Sequence, residues 1–311
     1  MKPYLSILTL FVALIGIVTV SCGGDATSPY QTQIPETANT LDYAEFLERT
    51  SDPLNGEPAL NNFQEALEIR KSHPESDPLD VAITHDKIAL TQQGMGNLDD
   101  SLSHYLQSLG IRKETPNASN VLIAASHDNV AKIYTLQERY DKALDQLLVA
   151  LQIRQQSLSV SQLDIATSHQ NIAEMYAKLG QDSEALEHFL NTLQLRQQIS
   201  EVDLLDIATS HDDVAEVYIK LGRNDEALPH FQNALAFRQE RSDIGRLEIA
   251  NSHDNLAGTF YRLDRLDEAL TNYDNALGIR RSEPNADPLE IAGSCDNVAN
   301  VYFRLDLFEN A

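Results

Sequence analysis

The chain has 311 residues, and 47 Asp and Glu against 23 Lys and Arg give a formal net charge of −24. That excess of carboxylate repels phosphate backbones and excludes nucleic acid as a main partner. Hydrophobic residues at 42% exclude bulk disorder, and 6% aromatics with no Trp and only two Cys suit stacked helices while excluding a disulfide framework or a cysteine-based zinc site.

Residues 1–21 carry one positive charge, Lys2, followed by an uncharged apolar run from Leu5 to Val20. That length suits a signal-peptide core and is short for a membrane span. The run ends in Val18-Thr19-Val20-Ser21-Cys22-Gly23-Gly24. A small residue followed by Cys at this junction resembles the lipobox of bacterial lipoproteins, although Thr19 stands where Leu is usual. The resemblance implies cleavage before Cys22, acyl chains on Cys22, and an exported membrane lipoprotein facing the periplasm or cell surface. The alternative is an ordinary secretory signal in which Cys22 is incidental. Residues 22–39, rich in Thr, Ser, Pro, Gln and Gly, are expected to form a flexible tether.

A 42-residue period organises the rest. His85, His127, His169, His211 and His253 keep that spacing, with Cys295 next in line. So do Arg70, Arg112, Arg154, Arg196, Arg238 and Arg280, and Ala89, Ala131, Ala173, Ala215, Ala257 and Ala299. In the unit beginning at Leu163, the residues Ile165, Ala166, His169, Ile172, Ala173, Tyr176 and Leu179 recur at intervals of three and four, one face of a helix that Gly180 closes. Ala185, Leu186, Phe189 and Leu193 form a second face, with Asp182 and Ser183 expected to cap its start. Each unit is thus a helix A, a turn, a helix B and a return loop. The expected boundaries are a degenerate N-terminal unit at 40–78, with Pro53, Gly56 and Pro58 between its helices, and full units at 79–120, 121–162, 163–204, 205–246 and 247–288. A partial unit follows at 289–311, where Val298, Val301, Tyr302 and Leu305 are expected to lack a covering helix, as in a truncated chain or one whose end a partner or second copy covers.

The pattern I-A-x-S-H-x-N-[VIL]-A-x-x-Y-x-x-L-G, then E-A-L-x-x-[FYL]-x-x-A-L-x-[IL]-R, resembles the 42-residue tetratricopeptide repeats (TPR) of kinesin light chains. The resemblance implies an all-α fold, a right-handed α-α superhelical solenoid of tetratricopeptide helix pairs, with helix A lining a concave groove. It does not extend to a motor-binding function. It also implies two groove-facing columns after the repeated histidine. The first is Asp86, Asp128, Gln170, Asp212, Asp254 and Asp296; the second is Lys87, Asn129, Asn171, Asp213, Asn255 and Asn297. An Asn carboxamide both donates and accepts, which suits the main chain of an extended peptide. The Asp column favours a neutral or basic ligand over an acidic one. Bacterial arrays of this kind are often joined to an effector such as a sensor kinase or caspase-like protease, so a sensory segment of a longer protein is a second expectation and a self-associating envelope protein a third.

Sharper chemistry finds little support. Successive histidines would lie about 8–10 Å apart on neighbouring helices, too far to share an ion, so they are expected to be structural. The arginines are expected to meet the last carbonyls of helix B. No catalytic motif, metal site or cofactor is expected, and the chain is read as a binding protein rather than an enzyme.

Overall fold

The computed structural model describes residues 40–305, apart from Leu158 and Ser242. The signal peptide, the tether with Cys22, and residues 306–311 lie outside the described residues. Among those described there are thirteen α-helices and one short 3-10 turn at Pro53–Asn55. A degenerate pair, α1 (Thr40–Thr50) and α2 (Glu57–Ser72), precedes five regular pairs: α3 (Pro78–Gly94) with α4 (Leu98–Glu114), α5 (Asn120–Leu136) with α6 (Tyr140–Gln155), α7 (Gln162–Lys178) with α8 (Asp182–Gln198), α9 (Leu204–Lys220) with α10 (Asn224–Gln239), and α11 (Arg246–Arg262) with α12 (Leu266–Ser282). Helix α13 (Pro288–Arg304) opens a further unit. The fold is an all-α solenoid of consecutive helix pairs.

The turn from A to B is built the same way each time. Asn97, Arg139, Gln181, Arg223 and Arg265 donate their backbone N–H to a carbonyl five residues back, at 2.8–2.9 Å. The residue before each has a positive φ, including Gly180 at 72°, so the helix ends in a Schellman-type turn that satisfies its orphan carbonyls. In three of these turns the arginine then stacks on an aromatic of its own helix A: Arg139 on Tyr134, Arg223 on Tyr218 and Arg265 on Phe260, 4.6–4.7 Å from the ring centre.

Capping differs from the sequence expectation. Helix α8 starts from Gln181 with no side-chain cap, and Asp182 is its first residue. The side-chain caps belong to the A helices: Asp77, Ser119, Ser161, Asp203 and Asp287 each accept from a first-turn amide, and Ser161 with Asp164 forms a capping box. Pro58 falls in the first turn of α2 rather than between helices, where its missing N–H is harmless. Pro229 lies inside α10, which continues through it.

The helices approach closely because small residues occupy the contacts. Ala89, Ala131, Ala173, Ala215 and Ala257 on the A helices, and Ala143, Ala185, Ala227 and Ala269 on the B helices, are all buried. Three of the core clusters span a pair and the next A helix, and another runs from α9 to α13; in one of the three, Phe189 and Leu193 of α8 pack with Ala173 of α7 and with Ile207, Val214 and Val217 of α9. Cohesion is therefore between nearest neighbours. The same arrangement corrects the expectation for α13. Val298 and Val301 are buried, Val301 against Phe260 and Ala269, because a helix A packs back onto the preceding pair and needs no partner of its own to bury these two.

Candidate ligand groove

The repeated histidines lie at the A–B contact, each less than 10% exposed. Their Nδ1 atoms meet a polar atom nineteen residues on: His104 Nδ1 for His85, Gln146 Oε1 for His127, His188 Nδ1 for His169, His230 Nδ1 for His211 and Asn272 Oδ1 for His253, at 2.8–3.0 Å. Two facing Nδ1 atoms hold one proton between them, so both rings cannot be cations without putting N–H against N–H. Burial pushes the pKa of these paired histidines down, to about 4 for His85 and His211, with the partner ring adding to the shift. Among the described residues no cluster of three or more His, Cys, Asp or Glu is placed to hold a metal ion.

The arginine column makes a different contact from the one expected. Its guanidinium groups do not cap helix B carbonyls; they reach across helices to side chains. Arg112, Arg154, Arg238 and Arg280 each pair with the Asp that follows the histidine of their own unit: Asp86, Asp128, Asp212 and Asp254. Each also donates to the Ser just before the next unit's histidine, or before Cys295 in the last: Ser126, Ser168, Ser252 and Ser294, at 2.6–2.9 Å. That hydroxyl in turn donates to a carbonyl of its own helix, so its hydrogen-bonding capacity is used at both ends. Arg70 has Glu48 instead of Asp, and Glu48 also takes Thr84 and Lys87. Burial alone would raise the Glu48 pKa, but these hydrogen bonds outweigh it and hold the carboxyl low.

The first groove column is therefore not a row of unpaired carboxylates. Four of its five Asp are paired with arginine, and only Asp296 is exposed. Burial still pushes Asp212 and Asp254 up, partly offset by Arg238 and Arg280. The second column fares differently. Asn129 and Asn171 line a cavity of about 350 Å³ between α5 and α7, and Asn255 lines one of about 310 Å³ between α9 and α11. Lys87 is held by Glu48, and Asn297 lies half-buried on α13. Gln170 and Asp213 bond to each other across α7 and α9 at 2.9 Å.

Further acid in the groove comes from residues that sequence reasoning missed, the exposed Glu174, which accepts from Gln170, and the exposed Glu216, whose pKa burial and Asp212 push up and Lys220 partly offsets. They lie five residues after the histidine, where Leu90, Lys132, Gly258 and Asn300 stand in other units. A column that changes character at each step leaves no periodic signal. The basic column ends each helix as a dipole partner would: Lys178, Lys220, Arg262 and Arg304 all lie in last turns.

Residues 80–156 and 164–240 match the tetratricopeptide repeat family model. The chain is a tetratricopeptide-repeat protein. Solved structures with the same fold include BtubC (BKLC) from P. vanneervenii, 18% identical over 81% of this chain and 94% of that one, with a TM-score of 0.61. A putative kinesin light chain with nearly identical TPR-like repeats from Podosopora anserina is 18% identical over 67% of this chain and 99% of that one, at 0.56. A signal-transduction ATPase with a tetratricopeptide repeat sensor from Pyrococcus horikoshii is 14% identical over 87% of this chain but only 40% of that one, at 0.61. No curated protein is significantly similar in sequence.

Proposed function

We propose that this protein is a membrane-anchored scaffold that holds an extended peptide segment of a partner protein along the A-helix groove. The observation that carries the reading is the in-register presentation of Asn129, Asn171 and Asn255 at two open cavities on that face. Carboxamides at a helix-pair period match the main chain of an extended segment, which repeats its donors and acceptors regardless of sequence. The lipobox-like junction at Cys22 supports attachment through acyl chains, which raises the scaffold's effective concentration at the bilayer. The partner is protein rather than nucleic acid, and its segment is neutral or basic.

The test is a displayed library of random dodecapeptides selected on the purified array. Changing Asn171→Leu together with Asn255→Leu is expected to abolish binding of the selected peptides while helicity and melting stay intact. Binding that survives the double change removes the groove assignment. Incorporation of labelled palmitate that disappears on Cys22→Ser tests the anchor separately.

The fold shared with a repeat sensor of a larger ATPase supports a second reading, in which the array is the sensory part of a longer protein with an effector beyond Ala311. An open reading frame continuing past Ala311 discriminates between the two.

A further inference from the structure

The two cavities occupy one register, two units apart. Leu147 floors the first where Phe231 floors the second, and Asn171 stands on the first rim where Asn255 stands on the second. Both floors are apolar, with Ala131 and Met175 in one and Ile219 in the other. Gly258 holds the position that Glu174 holds in the first cavity, and its missing side chain leaves the second open: a Cβ there would meet only the Tyr273 hydroxyl, at 3.6 Å.

The step between them is wired unlike the rest of the array. Only here does Gln170 replace the arginine-bound Asp, and only in the following helix does Asp213 replace the groove Asn or Lys. A carboxylate has in effect moved from the arginine network to the groove face. Gln170 donates to it, while the charges acting on it, Glu216, Glu174 and Asp212, are all negative, and burial pushes the Asp213 carboxyl up to about 6. A cation placed there would relieve that repulsion.

Successive A helices, bridged by side chains as at Gln170 and Asp213, step by about 10 Å, so two steps separate the cavities by about 20 Å. An extended chain rising about 3.3 Å per residue covers that distance in about six residues. Resting on the groove reading above, we propose that the bound segment carries two apolar side chains about six residues apart, one in each cavity, with a lysine or arginine between them facing Glu174, Asp213 and Glu216.

The experiment uses fluorescein-labelled Ser/Gly dodecapeptides with two leucines at separations from three to nine, and Lys or Glu midway, measured by anisotropy against the full chain. Affinity is expected to peak near a separation of six. It should fall about tenfold to a hundredfold when either leucine becomes Ser, the scale of one buried leucine. It should also fall at least about tenfold on exchanging Lys for Glu. Gly258→Phe, which fills the second cavity, should erase dependence on one leucine and keep dependence on the other, and unchanged circular dichroism would show the fold is kept. Flat dependence on separation, or preference for Glu, overturns the proposal; if that binding is still lost with Asn171→Leu and Asn255→Leu, the groove reading stands without it. No binding in the series while library-selected peptides bind also overturns the proposal alone. Binding indifferent to all three substitutions overturns both.

Discussion

Glu138 and Asp264 adopt φ of 57° and 59° at the register where Gly96, Gly180 and Gly222 stand at 72–82°. A side chain in the left-handed region costs about 1 kcal/mol, which glycine does not incur. Asp264 recovers part of this through its ion pair with Arg304. Glu138→Gly is therefore expected to stabilise the array by about 1 kcal/mol, read as a higher urea midpoint at unchanged m-value. A midpoint that stays or falls would show that the turn is not strained. The sequence announces these turns where glycine fills them, as at Gly180, and hides them where Glu138 or Asp264 does. Geometry there is imposed by the helices on either side and the Schellman hydrogen bonds, not by local preference.

The unit of cohesion at the next scale is the arginine that closes each B helix. In Arg112, Arg154, Arg238 and Arg280 it joins the Asp of its own helix A to the Ser of the next, at sequence separations of 26 and 14, while Arg196 keeps the Ser without an Asp and Arg70 takes Glu48. Both spacings recur in the sequence, and the Ser stands beside the histidine in the repeat motif, yet the contact is invisible without knowing that the end of helix B lies between two A helices. The histidine register is legible because its spacing of three and four from apolar residues puts it on the buried face directly. Arg238→Leu strands the largely buried Asp212 without its cation and is expected to destabilise by about 3 kcal/mol in thermal unfolding. Adding Asp212→Leu should recover most of that loss. If the single change has no measurable effect, the network contributes specificity and not stability.

For the molecule as a whole, acid acts in two directions. Six histidines of the buried pairs have lowered pKa values, so the native state stays neutral while the unfolded chain takes up protons as pH falls through the ordinary histidine range. Their contribution is fully present above about pH 6.5 and declines towards about pH 4. Asp213 has the opposite sign: held up at about 6, it penalises the native state at neutral pH and ceases to do so once protonated. Replacing His104, His188 and His230 by Gln, the residue already facing His127, should shrink the fall in melting temperature between pH 7 and pH 5. Asp213→Asn should raise melting at pH 7 and steepen that fall. Equal pH profiles for all three proteins would show that these groups do not govern acid stability. The arginine clamp also bears on descent. Because the units from residue 121 onward present the same Ser acceptor to their predecessor, in-frame duplication or loss of 42 residues there poses no new packing problem, and array length is open to recombination. Residues 163–204 break that equivalence: excising them would place Asp128, already paired with Arg154, where Gln170 now meets Asp213, and remove the amide that donates to that carboxylate. Lineages that lengthen or shorten this array are thus expected to keep that junction whole while units elsewhere come and go.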